Sequence, residues 1–173
     1  MNFRSLLWAS LILVLLVACT GPVSAQVSTK EVVIESAHNV QQGTSDDILV
    51  SATNAVGIDS FTVYVHYDPD VLRVNYNSSD PENSPTRPVP PWTAMPVNVP
   101  SRGELRVASF YVAGLSGTVP LFTINCTALK NDGSSSELGV QVVTITENNV
   151  DVTSQYTTVN GTFTTLDEVP PTI

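Results

Sequence analysis

Residues 61–67, Phe-Thr-Val-Tyr-Val-His-Tyr, change character at every step. In an extended strand a two-residue period puts Phe61, Val63, Val65 and Tyr67 on one face and Ser60, Thr62, Tyr64 and His66 on the other. Asp68-Pro69-Asp70 then turns the chain, because proline fixes φ and aspartate bonds the backbone of its own turn. A segment built this way commits the chain to a sheet with one buried side. The rest of the sequence agrees. No stretch sustains a 3.6-residue period, and Val and Thr are plentiful where a helix would carry Leu, Ala, Lys and Glu.

The same alternation predicts strands over residues 30–37, 47–53, 71–76, 104–113, 119–130, 139–146 and 157–165, with Asn131-Asp132-Gly133 as a turn. Residues 77–101 differ. They hold seven of the twelve prolines and no alternation, which predicts a long stiffened loop around Trp92 and Met95. Eight or nine short strands at this spacing predict an all-β fold, a β-sandwich with jelly-roll topology. We read one domain over residues 26–166 and a short tail over 167–173 with Pro170-Pro171.

Residues 1–25 read as a signal peptide: Arg4 supplies the positive charge, and the apolar run of residues 6–17 is too short to span a bilayer. Two exits are legible. Val23-Ser24-Ala25 before Gln26 has the small-x-small pattern of a cleavage site, whereas Leu16-Val17-Ala18-Cys19 resembles a lipobox, with Cys19 as the lipidated residue. Either exit implies an exported protein, extracellular or at the cell surface, with a lipid anchor in the second case. Past Cys19 only Cys126 remains, so the processed chain can form no internal disulfide.

Beyond the leader the cations are Lys30, Arg73, Arg87, Arg102, Arg106 and Lys130, against sixteen Asp and Glu. No basic cluster exists, which argues against nucleic acid and against anionic lipid as partners. The inventory for catalysis is equally thin. His38 and His66 are the only histidines, and no Gly-x-Ser-x-Gly elbow accompanies them. No His/Cys cluster suits a metal, and Cys126 alternates onto the apolar side with Phe122, Ile124 and Ala128. Asp68 and Asp70 flank a turn proline, and no calcium-loop spacing surrounds the acidic residues. The expectation is a non-enzymatic chain with no cofactor and no metal of its own.

The stretch Ile58-Asp-Ser-Phe-Thr-Val-Tyr-Val-His-Tyr-Asp-Pro-Asp-Val-Leu-Arg-Val74 resembles the cohesins, in which a strand ends in Tyr-Asp-Pro and is followed at once by Val-Leu and a further apolar strand. The similarity continues in order. A proline-rich loop comes next, then Glu104-Leu-Arg-Val-Ala-Ser-Phe-Tyr-Val-Ala-Gly-Leu-Ser-Gly-Thr118, the strand of residues 119–129, Asn148-Asn-Val-Asp-Val-Thr and Val159-Asn-Gly-Thr-Phe163. The resemblance implies a nine-stranded jelly-roll sandwich, close in architecture to carbohydrate-binding modules. It implies a partner as well: a calcium-loaded dockerin module of a secreted protein, in a polysaccharide-degrading or cell-surface assembly.

In that family the sheet that meets dockerin includes the strands matching residues 59–67 and 104–113, with 119–130 between or beside them. On the first, Ser60, Thr62, Tyr64 and His66 face outward. On the second, if Phe110 and Val112 point inward, then Leu105, Val107, Ser109 and Tyr111 point outward; Gly114, Leu115 and Gly117 reach a partner from the rim. An exposed apolar patch with aromatic anchors marks a partner site. The competing reading buries this strand on both faces, beneath the proline-rich loop. Ser60 and Thr62 stand where the best-known class has an amide and an acid, which leaves fewer strong acceptors. Sequons at Asn77, Asn125 and Asn160 offer glycosylation sites, and a glycan on Asn125 would crowd the same face.

Two other functions compete. Direct binding of polysaccharide would need stacking platforms, and of Trp92, Tyr64, Tyr76, Tyr111 and Tyr156 only Tyr64 and Tyr111 are expected to share a face, with Trp92 as a lid on the core. The third function is structural, a cell-surface or adhesion module packed against a protein neighbour.

Overall fold

The computed structural model describes residues 28–168, so the readings made at Cys19 and at the Ala25–Gln26 junction lie outside the described residues. The chain forms β1 (Lys30–Ile34), β2 (Ala37–Val40), β3 (Ser45–His66), β4 (Leu72–Asn75), β5 (Arg87–Pro88), β6 (Asn98–Ser101), β7 (Glu104–Ala128), β8 (Ser135–Glu147), β9 (Val150–Asp151), a 3-10 turn (Thr153–Gln155), β10 (Tyr156–Val159) and β11 (Gly161–Thr165). The expected all-β fold is present, with a different division into strands. Residues 47–53 and 59–66 belong to one long strand, β3, and residues 104–113 and 119–128 to another, β7. Conversely, residues 30–37 split into β1 and β2, and 157–165 into β10 and β11.

The long strands bend rather than break. β3 and β7 run antiparallel from Ser45↔Thr127 to His66↔Glu104, and their register slips between Ala52 and Ala55 and again around Ile58. Asn54 and Gly57 sit there with positive φ (54° and 74°), a conformation that re-aims the strand. Each half then joins a different layer. The first half of β3 lies between β1 and the second half of β7, whose far side carries β4; β10 runs parallel to β1 and closes this layer. The second half of β3 lies between the first half of β7 and β8. Beyond β8's first residues come β11, antiparallel, and β2, parallel to β11.

The layers meet across an apolar core. Phe61, from the second half of β3, stacks on Phe122, from the second half of β7, with centroids 5.9 Å apart. Trp92 meets Phe61 edge-on at 4.9 Å and donates its indole N–H to the Pro120 carbonyl at 2.7 Å. Thus Trp92 plugs the core, as expected, and gives its one polar atom a partner. The rest of the proline-rich segment runs along the open edge of β7: Arg87 and Pro88 pair with Thr123 and Phe122, Thr93 N–H donates to the Phe110 carbonyl, and Asn98 pairs with Arg106. Pairing reaches slightly past residue 166, since Asp167 bridges Asp132 at the 131–133 turn.

One charged cluster lies inside. Glu147, only 6% exposed, accepts from Lys30 Nζ, from Val56 N–H at 3.0 Å and from the Tyr156 hydroxyl at 2.8 Å. It ties β8 to β1, β3 and β10 where the layers converge. Burial alone would raise the Glu147 carboxyl, but the Lys30 ammonium and these donors outweigh it and hold it below the usual range.

Candidate partner-binding face

The alternation of residues 60–67 predicts the geometry of β3 correctly: Phe61, Val63 and Val65 are buried, while Ser60, Thr62 and Tyr64 are partly exposed and His66 is exposed. Partners across a ladder share a face. Tyr64 pairs with Arg106, Thr62 with Ala108, Ser60 with Phe110 and His66 with Glu104, so the outward row of β7 is Glu104, Arg106, Ala108 and Phe110, continued by Val112. On the other flank Gln141, Thr144 and Thr146 pair with Tyr64, Thr62 and Ser60, and Val143 is exposed at a bulge.

This corrects the expected phase of β7. Leu105 and Val107 are 0% and 1% exposed and belong to the core, whereas Phe110 and Val112 are 49% and 93% exposed. Ser109, expected outward, is buried and donates to the Thr93 carbonyl at 2.6 Å. Tyr111 is half-buried against the core. Tyr64 and Tyr111 therefore do not share a face, and the pair of aromatic platforms expected for a sugar is absent. The competing reading, a cover over this strand, is not what the structure shows: the proline-rich segment pairs along the strand's edge.

A second correction concerns residues 119–130. They pair with residues 45–52 in the other layer and do not adjoin residues 59–67. Asn125 lies there, donating to Asp47 Oδ1 at 2.6 Å and accepting from Asn75 Nδ2 at 2.7 Å. A glycan on Asn125 would displace these bonds but would not touch the Tyr64 face. Asn77 and Asn160 are exposed, and Asn160 accepts from Val140 N–H while donating to Glu137.

The face is organised by its own contacts. The Arg106 guanidinium lies 4.6 Å from the Tyr64 ring centroid and donates to Glu104 at 2.6 Å. His66 meets Gln141 at 3.3 Å, with Glu104 3.9 Å from its other ring nitrogen. Ser60 and Thr146 share a hydrogen bond of 2.6 Å. Polar groups thus occupy one end and Phe110 and Val112 the other.

The apolar end has a particular build. Between Ser60↔Phe110 and Ile58↔Leu115 the four residues 111–114 of β7 face the single residue Asp59 of β3. The surplus bulges outward and lifts Val112 clear of the sheet. Gly114 brings the chain back with φ 67°, and a Cβ there would lie 3.0 Å from the Gly57 carbonyl oxygen. Leu115 packs against the core, while Gly117 is exposed in the following turn. Across the strands, Asn148 and Asn149 both take positive φ in the tight turn from β8 to β9. Asp59, Ser60, Phe110, Val112, Thr146 and Asn149 line a hollow of about 360 Å³ between these features.

Among the described residues no group of three or more His, Cys, Asp or Glu is placed to hold a metal ion, and no helix is long and apolar enough to cross a membrane. Cys126 is buried, and burial, with Asp46 and Asp47 nearby, pushes its thiol up to about 12.

No protein-family model and no curated protein matches the chain. Solved structures do. The chain is similar to a non-cellulosomal cohesin from the archaeon Archaeoglobus fulgidus, with 22% identity and TM-score 0.61 over 82% of this chain and 94% of the other. It is similar to a chain of a type I cohesin–dockerin complex from Clostridium thermocellum, with 17% identity and TM-score 0.61 over 80% and 100%. It is also similar to a type III cohesin module of a cell-surface anchoring scaffoldin of Ruminococcus flavefaciens, with 9% identity and TM-score 0.59 over 86% and 93%. The fold expected from the resemblance is thus the fold found: the β-sandwich of the cohesins.

Proposed function

We propose that this chain is a non-catalytic, exported module that binds a dockerin-type partner through the outward face of β3, β7 and β8. One observation carries the reading. In a fold solved repeatedly as cohesin, including in complex with dockerin, this face leaves Phe110 half-exposed and Val112 almost fully exposed among the described residues. An exposed aromatic beside an aliphatic knob, rimmed by Arg106, Glu104, His66 and Gln141, has the composition of an interface centre and its polar surround. Tyr64, Thr62 and Ser60 supply its middle, and Gly117 lies near the rim. The leader supports export to the cell surface or beyond, with Cys19 as the lipid attachment point if the lipobox is used.

Of the alternatives, direct polysaccharide binding loses its aromatic pair, since Tyr111 turns inward. A structural role in a surface assembly would use the same exposed face with another neighbour. The test is affinity capture from the secreted proteome of the source organism with residues 26–173, eluted by a calcium chelator, because dockerins fold around calcium. The reading predicts retained proteins that share a duplicated calcium-loop segment and are lost when Phe110→Asp replaces the bait. Retention that survives both chelator and the substitution overturns it.

A further inference from the structure

We propose that the hollow between β3, β7 and β8 is a subsite for a lysine or arginine side chain of the protein partner. The inference rests on the reading of this face as the partner surface, and it names what the partner must bring there.

The floor of the hollow is anionic. Asp59 accepts from the Thr146 hydroxyl through Oδ1 and from Asn149 N–H at 2.6 Å through Oδ2. A carboxylate has about four acceptor positions, so two are left for a ligand. None of the ion pairs among the described residues involves Asp59; they join Lys30 to Glu147, Arg102 to Asp70 and Arg106 to Glu104. Arg106, the cation of β7, is the register partner of Tyr64, two same-face pairs along from Ser60↔Phe110; it lies over the Tyr64 ring and donates to Glu104.

The walls are apolar. Phe110 and, on the bulge that follows it, Val112 line the same hollow as Asp59. A partner that covers these two side chains also covers Asp59. If it covered Asp59 with apolar or merely neutral surface, it would strip water from a carboxylate and offer no charge in return, a cost that opposes binding. A lysine or arginine answers both halves of the site: its methylene stem lies along Phe110 and Val112 while its head reaches the open positions of Asp59. The chain's net charge of −9 adds a field of the same sign around it.

The test needs no identified partner. The amide spectrum of residues 26–173 is followed by NMR during titration with Nα-acetyl-lysine methylamide, and separately with the norleucine analogue, which has a similar stem but no charge. Single side chains bind weakly, so each titration runs to roughly 100 mM. The proposal predicts saturating shifts at Asp59, Ser60, Phe110 and Asn149 with the lysine probe, at least about threefold smaller with norleucine, reduced by salt and abolished in Asp59→Asn. Asparagine retains the shape and one acceptor, and a thermal melt confirms that the variant folds; Val112→Ser, which leaves the carboxylate in place, should weaken the response without removing it. Equal shifts with both probes, no shifts at these residues, or an unchanged response in Asp59→Asn overturns the subsite. The failures separate: a partner captured through Phe110 with no lysine response leaves the face standing without this subsite, and a lysine response with no captured partner does the reverse.

Discussion

Arg106 of β7 lies across the Tyr64 ring of β3, its guanidinium carbon 4.6 Å from the ring centroid, and the two residues are register partners. That pairing fixes which side of β7 faces solvent. Leu105, one step away, is then fully buried. The two neighbours should differ sharply in what their loss does. Leu105→Ala is expected to cost about 2–5 kcal/mol, because it removes buried methyl groups and leaves a cavity. Arg106→Ala should cost no more than about 1 kcal/mol, the scale of an exposed cation–π contact and ion pair. Denaturant unfolding of both variants measures this; similar losses would mean that the phase of β7 is wrong.

The Lys30–Glu147–Tyr156 cluster predicts an acid-sensitive fold. Glu147 has its carboxyl held below the usual 4.5, against the effect of burial. A depressed carboxylate contributes stability that is fully present above its unfolded value and is lost as pH falls through its folded value. The melting temperature of the unmodified chain should therefore fall below about pH 4.5 more steeply than that of Glu147→Gln. The substitution leaves the partly exposed Lys30 beside a neutral amide and is expected to cost about 1–3 kcal/mol at pH 7. Parallel melting curves against pH for the two proteins would refute the assignment.

Cys126 should be chemically silent in the folded chain. With its thiol pushed up to about 12 and its side chain buried, almost no thiolate exists at pH 8, and the thiolate is the reactive form. A disulfide reagent is expected to label it only as fast as the protein opens, and at once in denaturant. Rapid stoichiometric labelling of the native protein would contradict the packing of the β7 half-strand.

Much of the fold was legible because alternation is a local signal. The two faces of residues 60–67 followed from their period, and the stiff segment around Trp92 from its prolines. The continuity of β3 was not legible, because Asn54 and Gly57 carry the bend without ending the pairing, and a turn residue looks the same in either case. The face of β7 was misread for a different reason. Around Phe110-Tyr-Val both rows are apolar, so neither phase stands out there. The discriminating signal lay earlier, where Glu104 and Arg106 alternate with Leu105 and Val107. The partner of residues 119–130 could not be read at all, since pairing with residues 45–52 is a long-range contact that no local pattern encodes. The hollow at Asp59 was missed because it arises from a four-against-one bulge between two strands, a property of their register and not of either sequence.

The central claim is that a partner docks on the Phe110 face, and the most direct measurement is the affinity of a captured dockerin-type partner for three proteins: the unmodified chain, Phe110→Asp, and Arg73→Glu. Arg73 is exposed on β4, in the other layer. If the face is right, calorimetry will record a loss of at least about 30-fold for Phe110→Asp, the scale of an interface hot spot, and little change for Arg73→Glu. Unchanged affinity in Phe110→Asp with a large loss in Arg73→Glu would place the partner on the opposite layer and contradict the account.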